Sequence, residues 1–438
     1  IWVTSAYLLG LVAPLLLAGR LGDRYGQKTL FILGMSVFTL ASLACGLSTT
    51  IEMLILARAI QGFGAALMTP QTQAMIVRIF PPDRRGAAIG LWGSVAGLGV
   101  LTGPILGGFL VQSAGWQAIF LINVPVGVVG VILAWRLLPT LPRLKVSFDW
   151  IGTVMSAVGI FLIVYGLQEG VANHWGPVWG PITIPHIIII GFVLVSGFVI
   201  HQAKSSRPLI PLRLFRDRDF SIANAAYFLV SAAMAGMPLP LLYFTQVARG
   251  LSPVLSAAFI VPTAVVAGIL SPVVGGKIVA RVGANRVACF GTACMALSLV
   301  WYLFFFTPTS PIWWALLPSC LAGVGNACMW APVGMSATHR LPPADAGAGS
   351  GVYNALGELG IAVGAASMGA LMNARLLAAG IPPESAGTAN LPAEVLPGYI
   401  TAMAESLLLP CIILFAAAAL AIFLTGQAGR SPNLSDHP

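Results

Sequence analysis

Gly19-Arg20-Leu21-Gly22-Asp23-Arg24-Tyr25-Gly26 returns 257 residues later as Gly276-Lys277-Ile278-Val279-Ala280-Arg281-Val282-Gly283. The opening glycine, the basic residue after it, an arginine and the closing glycine keep their spacing. Each copy reads as a loop that follows one long apolar run and precedes another. A repeat in the same sense, set between such runs, implies two halves of parallel topology.

Composition says what kind of halves these are. Of 438 residues, 58% are hydrophobic and 8% charged, where a soluble domain carries about 25% charged residues. So few charges cannot cover a water-exposed surface, and disorder needs low hydrophobicity. A polytopic helical membrane protein is the class that fits. The 49 glycines and 31 prolines agree, since both are more frequent in membrane helices than in soluble ones. The net charge of +9 does not point to nucleic acid, because the basic residues lie scattered in short linkers. The six cysteines sit inside apolar runs without a CxxC or a histidine partner. They read as small buried hydrophobes, and no metal site is expected.

A spanning helix needs roughly 20 mostly apolar residues. Thirteen runs qualify, near 1–19, 29–47, 53–78, 87–111, 119–138, 150–168, 185–202, 220–247, 254–280, 287–306, 312–335, 347–374 and 400–425. Taking alternate linkers, nineteen Lys and Arg residues fall on one side, two (Arg249 and Arg375) on the other, and Arg58 lies within a run. By the positive-inside rule the rich side, which includes the C-terminus, is cytoplasmic. Residue 1 then lies on the outer face, and one N-terminal helix is expected to be absent from this sequence, the intact protein having fourteen spans. A thirteen-span protein is the alternative. Eight spans separate the two repeat copies where six-helix halves would give six, so the runs at 150–168 and 185–202 are read as inserted. The expected organisation is 1–140 as the N-terminal half, 141–215 as two linker helices with a cytoplasmic loop, and 216–438 as the C-terminal half.

The segment Gly19 to Lys28 resembles the loop between the second and third helices of the major facilitator superfamily. The resemblance implies an all-α membrane fold of two pseudo-symmetric six-helix halves plus two linker helices, with a binding site between the repeats. It also implies that Gly19, Asp23, Arg24 and Gly26 form a cytoplasmic gate, with Asp23 at a helix N-terminus where the dipole favours an anion. The second copy has Ala280 in place of Asp23 and is read as packing only. Gly99, Gly103, Pro104, Gly107 and Gly108 take the form GxxxGPxxGG, which resembles the antiporter motif of the superfamily's exporters. Glycines at such spacing allow close helix approach, and the proline bends the helix.

Two charges inside the runs are functional candidates by default. Arg58 shares a stripe with Gln61, Ala65, Thr69 and Thr72, and Arg58 to Gly62 resembles the superfamily's RxxQG motif, whose arginine is tied to proton transfer. Snorkelling to the outer interface is the alternative for Arg58. Glu358 lies about eleven residues into its run, with Ser350 and Asn354 at four-residue steps, and Gly360 and Gly364 on a packing face beside them. A carboxyl at that depth is a candidate to bind and release a proton; a purely structural role is the alternative. Gly349 through Gly364 resembles the matching helix of the fourteen-helix drug:proton antiporters (EmrB/QacA-like), although Gly357 stands where an arginine is common there. Gly115 to Phe120, with Asn123 and Pro125, resembles the outer loop and sixth helix of that branch. Its first helix carries an acidic residue for proton coupling, a segment this sequence lacks. Tyr7, Gln61, Met68, Trp92, Tyr227, Met329, Trp330, Tyr353 and Asn354 could line a substrate cavity, with lipid-facing or packing roles as the alternative. Glu405 is expected to snorkel, and Asp149 and Glu52 to sit at helix N-termini.

The resemblance implies a proton-coupled exporter of hydrophobic or cationic drugs working by alternating access, in a bacterial inner membrane. The proton gradient would drive it, without a cofactor. The expected partners are a hydrophobic small molecule and the lipid bilayer, with no nucleic acid. A monomer is expected, and an outer-face subunit stays open. Export of an endogenous metabolite is the alternative within transport. A membrane enzyme or sensor is the remote one, since HExxH, GxSxG, DxxD and the phosphate loop GxxxxGK[ST] are not found.

Overall fold

The computed structural model describes residues 2–144, 149–172, 175–205, 208–307, 310–382, 391–392 and 394–425. Lys145, Arg207 and Arg430 of the basic set lie outside the described residues, as does the side chain of Pro104.

The apolar runs are helices. In chain order they are α1 (Trp2–Val12), α2 (Leu15–Tyr25), α3 (Gln27–Gly46), α4 (Ile51–Ile79), α5 (Pro82–Ala114), α6 (Ala118–Leu121), α7 (Asn123–Leu137), α8 (Trp150–Ala172), α9 (Ile184–Lys204) and α10 (Arg218–Gly236). There follow α11 (Pro238–Tyr243), α12 (Pro253–Ala258), α13 (Val261–Val273), α14 (Val279–Val282), α15 (Ala284–Phe305), α16 (Leu316–Thr338), α17 (Ala346–Ala378), α18 (Leu396–Ser406) and α19 (Leu408–Ile422). One antiparallel hairpin, β1 (Pro177–Trp179) with β2 (Ile182–Thr183), joins α8 to α9. Among the described residues eleven helices are long and apolar enough to cross a membrane, and twelve if α1 and α2, bent by 45°, form one span. The 33-residue α5 covers the expected run at 87–111.

One boundary differs from expectation in a way that matters. The Gly19 segment is no loop: Arg20, Asp23 and Arg24 lie on α2, and the break comes at Gly26. Pro14, which precedes α2, separates it from α1, and the polar groups of α2 find partners that let the helix run on to Tyr25. The second copy behaves alike, with helical turns from Val274 to Val282 and a break at Gly283.

The chain divides into two compact units. The first comprises residues 1–81, 106–220 and 340–359, the second 82–105, 221–339 and 360–438. Three of the boundaries fall within helices, in the 33-residue α5 and α17 and near the start of α10. In the first unit α3 crosses α4 where Gly34 and Gly64 face each other, so closely that a Cβ on Gly34 would stand 2.7 Å from the Gly64 carbonyl oxygen. Without water to reward apolar burial between helices, such close approach is what holds membrane helices together. In the second unit a core of Tyr399, Phe244, Phe305, Met295, Leu299 and Met368 is almost fully buried. There Gly360 and Gly364 lie against the backbone of α10 at Phe228 and Ala232, the packing role their spacing suggested.

Candidate functional site

Three polar groupings gather in the first unit, on helices that are otherwise apolar. The first is the Gly19–Gly26 segment. Gly19 touches the backbone of α17 so closely that a Cβ would fall on the Gly347 carbonyl oxygen. That approach brings Asp23, fully buried, to the N-terminus of α17, where its Oδ1 accepts from the Gly347 N–H at 3.2 Å. An anion there meets unsatisfied amides and the positive end of the helix dipole. Oδ1 also accepts from Gln27 Nε2 at 3.2 Å, and Gln27 in turn accepts from Arg78 at 2.7 Å. Arg20 stands with Nη1 3.9 Å from Asp23 Oδ2. Arg24 points outward over its neighbour Tyr25, 5.5 Å from the ring centroid. Gly26 takes φ 99°, ψ 130°, a conformation reserved in effect for glycine.

The second grouping runs from α4 into α3 and α7. Arg58 donates through Nη1 to Gln61 Oε1 at 2.7 Å and through Nε to the Val3 carbonyl at 3.0 Å. Its guanidinium lies 4.2 Å from the Tyr7 ring centroid. Gln61, almost fully buried, donates to Ser42 Oγ at 2.8 Å, and Asn123 donates to the same oxygen at 3.1 Å. Arg58 is therefore tied inward rather than reaching along the helix to an interface. Thr69, on the same stripe, hydrogen-bonds its own helix at the Ala65 carbonyl.

The third grouping is the polar face of α17. Ser350 and Asn354 are buried, and Asn354 donates to Gln73 Oε1 of α4 at 3.3 Å. Glu358 follows one turn on, about 18 Å from the start of a helix that rises 1.5 Å per residue. Among the described residues no side chain hydrogen-bonds or pairs with its carboxyl. Tyr7 lies within electrostatic reach of both Glu358 and Arg58, so the second and third groupings meet at Tyr7.

The remaining candidates are more dispersed. Met68 is half-buried on α4, Tyr353 is buried, and Trp92 on α5 is 43% exposed. In the second unit Tyr227 and Trp330 meet edge to face with centroids 5.6 Å apart, beside a fully buried Met329. A Cβ placed on Gly99, Gly103, Gly107 or Gly108 would meet no other atom within 4 Å. Glu405 pairs with Arg375 at 3.1 Å, joining α18 to α17. Thr50 caps α4 by accepting from the Met53 N–H, and Glu52 lies in the first turn of that helix. Among the described residues no three His, Cys, Asp or Glu side chains gather as a metal site.

Sequence reasoning missed the roles of Gln27, Gln73 and Arg78. Their signal was available, as glutamines and an arginine placed inside or beside apolar runs, but Arg78 and Gln73 meet partners 51 and 281 residues away along the chain.

The family model described as Major Facilitator Superfamily matches residues 1–365. This chain belongs to the major facilitator superfamily. It is 45% identical over 442 residues to a protein named "Uncharacterized MFS-type transporter Rv1250" of Mycobacterium tuberculosis, covering 98% of this chain and 75% of that protein. It is 31% identical to the "Tetracenomycin C resistance and export protein" of Streptomyces glaucescens, over 89% of this chain and 72% of that one. A "Putative multidrug resistance protein MdtD" of Escherichia coli is 31% identical, over 84% of this chain and 77% of that one. Among solved structures, the proton:xylose symporter XylE shares the fold, with a TM-score of 0.61 at 16% identity, covering 98% of this chain and 87% of that one. The protein is thus a multi-pass membrane transporter of this superfamily, and its kinship is with transporters rather than enzymes.

Proposed function

We propose that the protein exports hydrophobic or cationic drugs in exchange for protons, by alternating access, in the bacterial cell membrane with its C-terminus in the cytoplasm. It would need no cofactor and would work as a monomer of the fourteen-helix antiporter branch. Support for export comes from relatives named for multidrug resistance or for resistance and export. The observation that carries the coupling is Glu358, a carboxyl within α17 that no described side chain pairs, within electrostatic reach of Tyr7, whose ring the Arg58 guanidinium faces at 4.2 Å. In this reading a proton from outside neutralises Glu358 and weakens binding of a cationic substrate. Asp23 and its partners hold the gate.

A second reading is favoured by two relatives whose names carry a single compound, the tetracenomycin C resistance and export protein and a "Probable actinorhodin transporter" of Streptomyces coelicolor. Under it, the cargo is one metabolite of the producing cell.

The test is the full-length protein in proteoliposomes under an imposed pH gradient, following a fluorescent cationic dye and internal pH together. Dye accumulation coupled to proton flux is expected, and Glu358→Gln should abolish the coupling while leaving the amount of protein unchanged. Coupled transport by Glu358→Gln at the normal rate would remove Glu358 from the mechanism. No movement across a broad dye panel would favour the single-metabolite reading.

A further inference from the structure

The helices α8 and α9 carry none of the motifs discussed above. Their ends nevertheless hold a buried polar chain that runs to the Gly19–Gly26 segment. Asp149, just before α8, accepts at Oδ1 from the Gly152 N–H at 2.8 Å and faces His201 Nε2 at 3.0 Å. Its Oδ2 accepts from Gln202 Nε2 at 2.7 Å. Burial by itself would push the Asp149 carboxyl up, yet these bonds outweigh it and hold it below the usual carboxylate range. The other end of the Gln202 amide, Oε1, accepts from the Ile210 N–H at 3.1 Å. Gln202 thereby fixes the segment that follows α9. That segment turns two carbonyls, Leu209 and Pro208, onto the Arg20 guanidinium, which donates to them through Nε and Nη2. Arg20 is the residue beside Asp23, and Asp23 takes the N-terminal amide of α17.

We infer that Asp149 and Gln202 are positioning residues for the Arg20–Asp23 contact with α17, so that the two inserted helices set the state of that contact. Asp149, Gln202, Arg20 and Asp23 are each at most 8% exposed, so water cannot replace a lost member. A buried polar network works when complete and fails as a unit. Arg20 has a planar fork whose direction is set by what it donates to. With Nε and Nη2 held on the Leu209 and Pro208 carbonyls, Nη1 stands 3.9 Å from Asp23 Oδ2. The same segment is tied at its far end, where Arg213 pairs with Asp345 at 2.8 Å and Arg340 with Asp217 at 3.5 Å. It is held by α9 on one side and by the approach to α17 on the other.

The consequence for transport rests on the export reading, but the test does not. Hydrogen–deuterium exchange would be measured on the full-length protein in lipid nanodiscs. Gln202→Met keeps the length of the side chain and removes both of its bonds. It is expected to speed exchange roughly tenfold in peptides covering 343–352 and 16–27, the size set by losing a hydrogen bond to a charged group. Arg20→Lys should do the same, since an ammonium cannot reproduce the fork. In the double variant the two effects should not add, because both cut one chain. Faster exchange confined to 149–156 and 198–212 would overturn the inference, and so would additive effects at 343–352. Where Gln202→Met fails to accumulate, Asp149→Asn carries the same test with a smaller expected change. In the dye assay the variant should slow turnover with the apparent KM within about twofold of wild type. A wild type that moves no dye would defeat the drug-export reading and leave the exchange result to decide this one.

Discussion

The two copies of the repeat share a backbone and differ in nearly everything that touches it. Gly26 has φ 99° and ψ 130°, Gly283 φ 100° and ψ 145°. In both, the glycine N–H closes the preceding helix on a carbonyl four residues back, Gly22 in one and Val279 in the other, at 2.9 Å. A new helix starts at the next residue, Gln27 or Ala284. The chemistry then diverges. Asp23 is fully buried and bonded to the start of α17; its counterpart Ala280 is exposed. Gln27, which supports Asp23, corresponds to Ala284. Gly19 lies against the Gly347 carbonyl, whereas a Cβ on Gly276 would sit an ordinary 3.5 Å from the Ala87 Cβ on α5. The repeated glycines fix a helix–break–helix frame. The polar contact is a separate property that only the first copy carries.

If this division is right, substitutions at matched positions must diverge wherever chemistry differs and agree wherever only backbone is involved. The largest effect is expected at Asp23→Ala. It leaves Arg20 buried without its carboxylate and the Gly347 amide without an acceptor, a loss of about 3 kcal/mol or more. Thermal unfolding of the purified protein would show it, together with loss of transport. Next is Gly19→Ala, whose methyl must displace the α17 backbone at a cost of about 1–3 kcal/mol. Gly276→Ala should be neutral or slightly stabilising, since alanine is the better helix former by about 1 kcal/mol. Equal losses at Gly19 and Gly276 would break the comparison. Gly26→Ala and Gly283→Ala should instead match each other, at about 1–3 kcal/mol, because each forces a side chain into a backbone region open in effect to glycine alone. A difference between those two would mean that the shared frame is less alike than its dihedrals indicate.

The helices were legible because run length and hydropathy are local properties, and the expected runs fall on one helix or on successive ones. The repeat was legible because its glycines answer to backbone geometry. What could not be read was that α2 continues to Tyr25. Its glycines and charges look like a loop until their partners are known, and those partners are Gly347 and the Pro208–Leu209 carbonyls, 324 and 188–189 residues away along the chain. The same holds for the candidate site. Four-residue spacing placed Ser350, Asn354 and Glu358 on one face of α17. Nothing in that spacing said that Gln73 would meet Asn354, that Tyr7 would lie near Glu358, or that Arg58 would spend its donors on Gln61 and Val3. The one-turn pattern along a helix is written in its own sequence, and the identity of the neighbouring helix is not.

The smallest expected effect is the most exacting for the comparison. Ala280→Asp restores the acidic residue that the second copy lacks, three residues after Lys277 as Asp23 follows Arg20. If the motif acted through its sequence alone, this change would install a second polar contact and stiffen the protein or alter its transport. The surroundings argue otherwise. Both Lys277 and Ala280 are exposed, so the new pair would be an ion pair in solvent, worth little once side-chain entropy and screening are counted. Ala284 also offers no amide side chain to hold the carboxylate as Gln27 holds Asp23. Unfolding and transport should therefore stay within about 0.5 kcal/mol and experimental scatter of wild type. A marked stabilisation, or a transport rate that falls as it would when a gate is held shut, would mean that the second copy keeps a latent partner. The difference between the copies would then come down to one residue rather than to the environment the fold gives each of them.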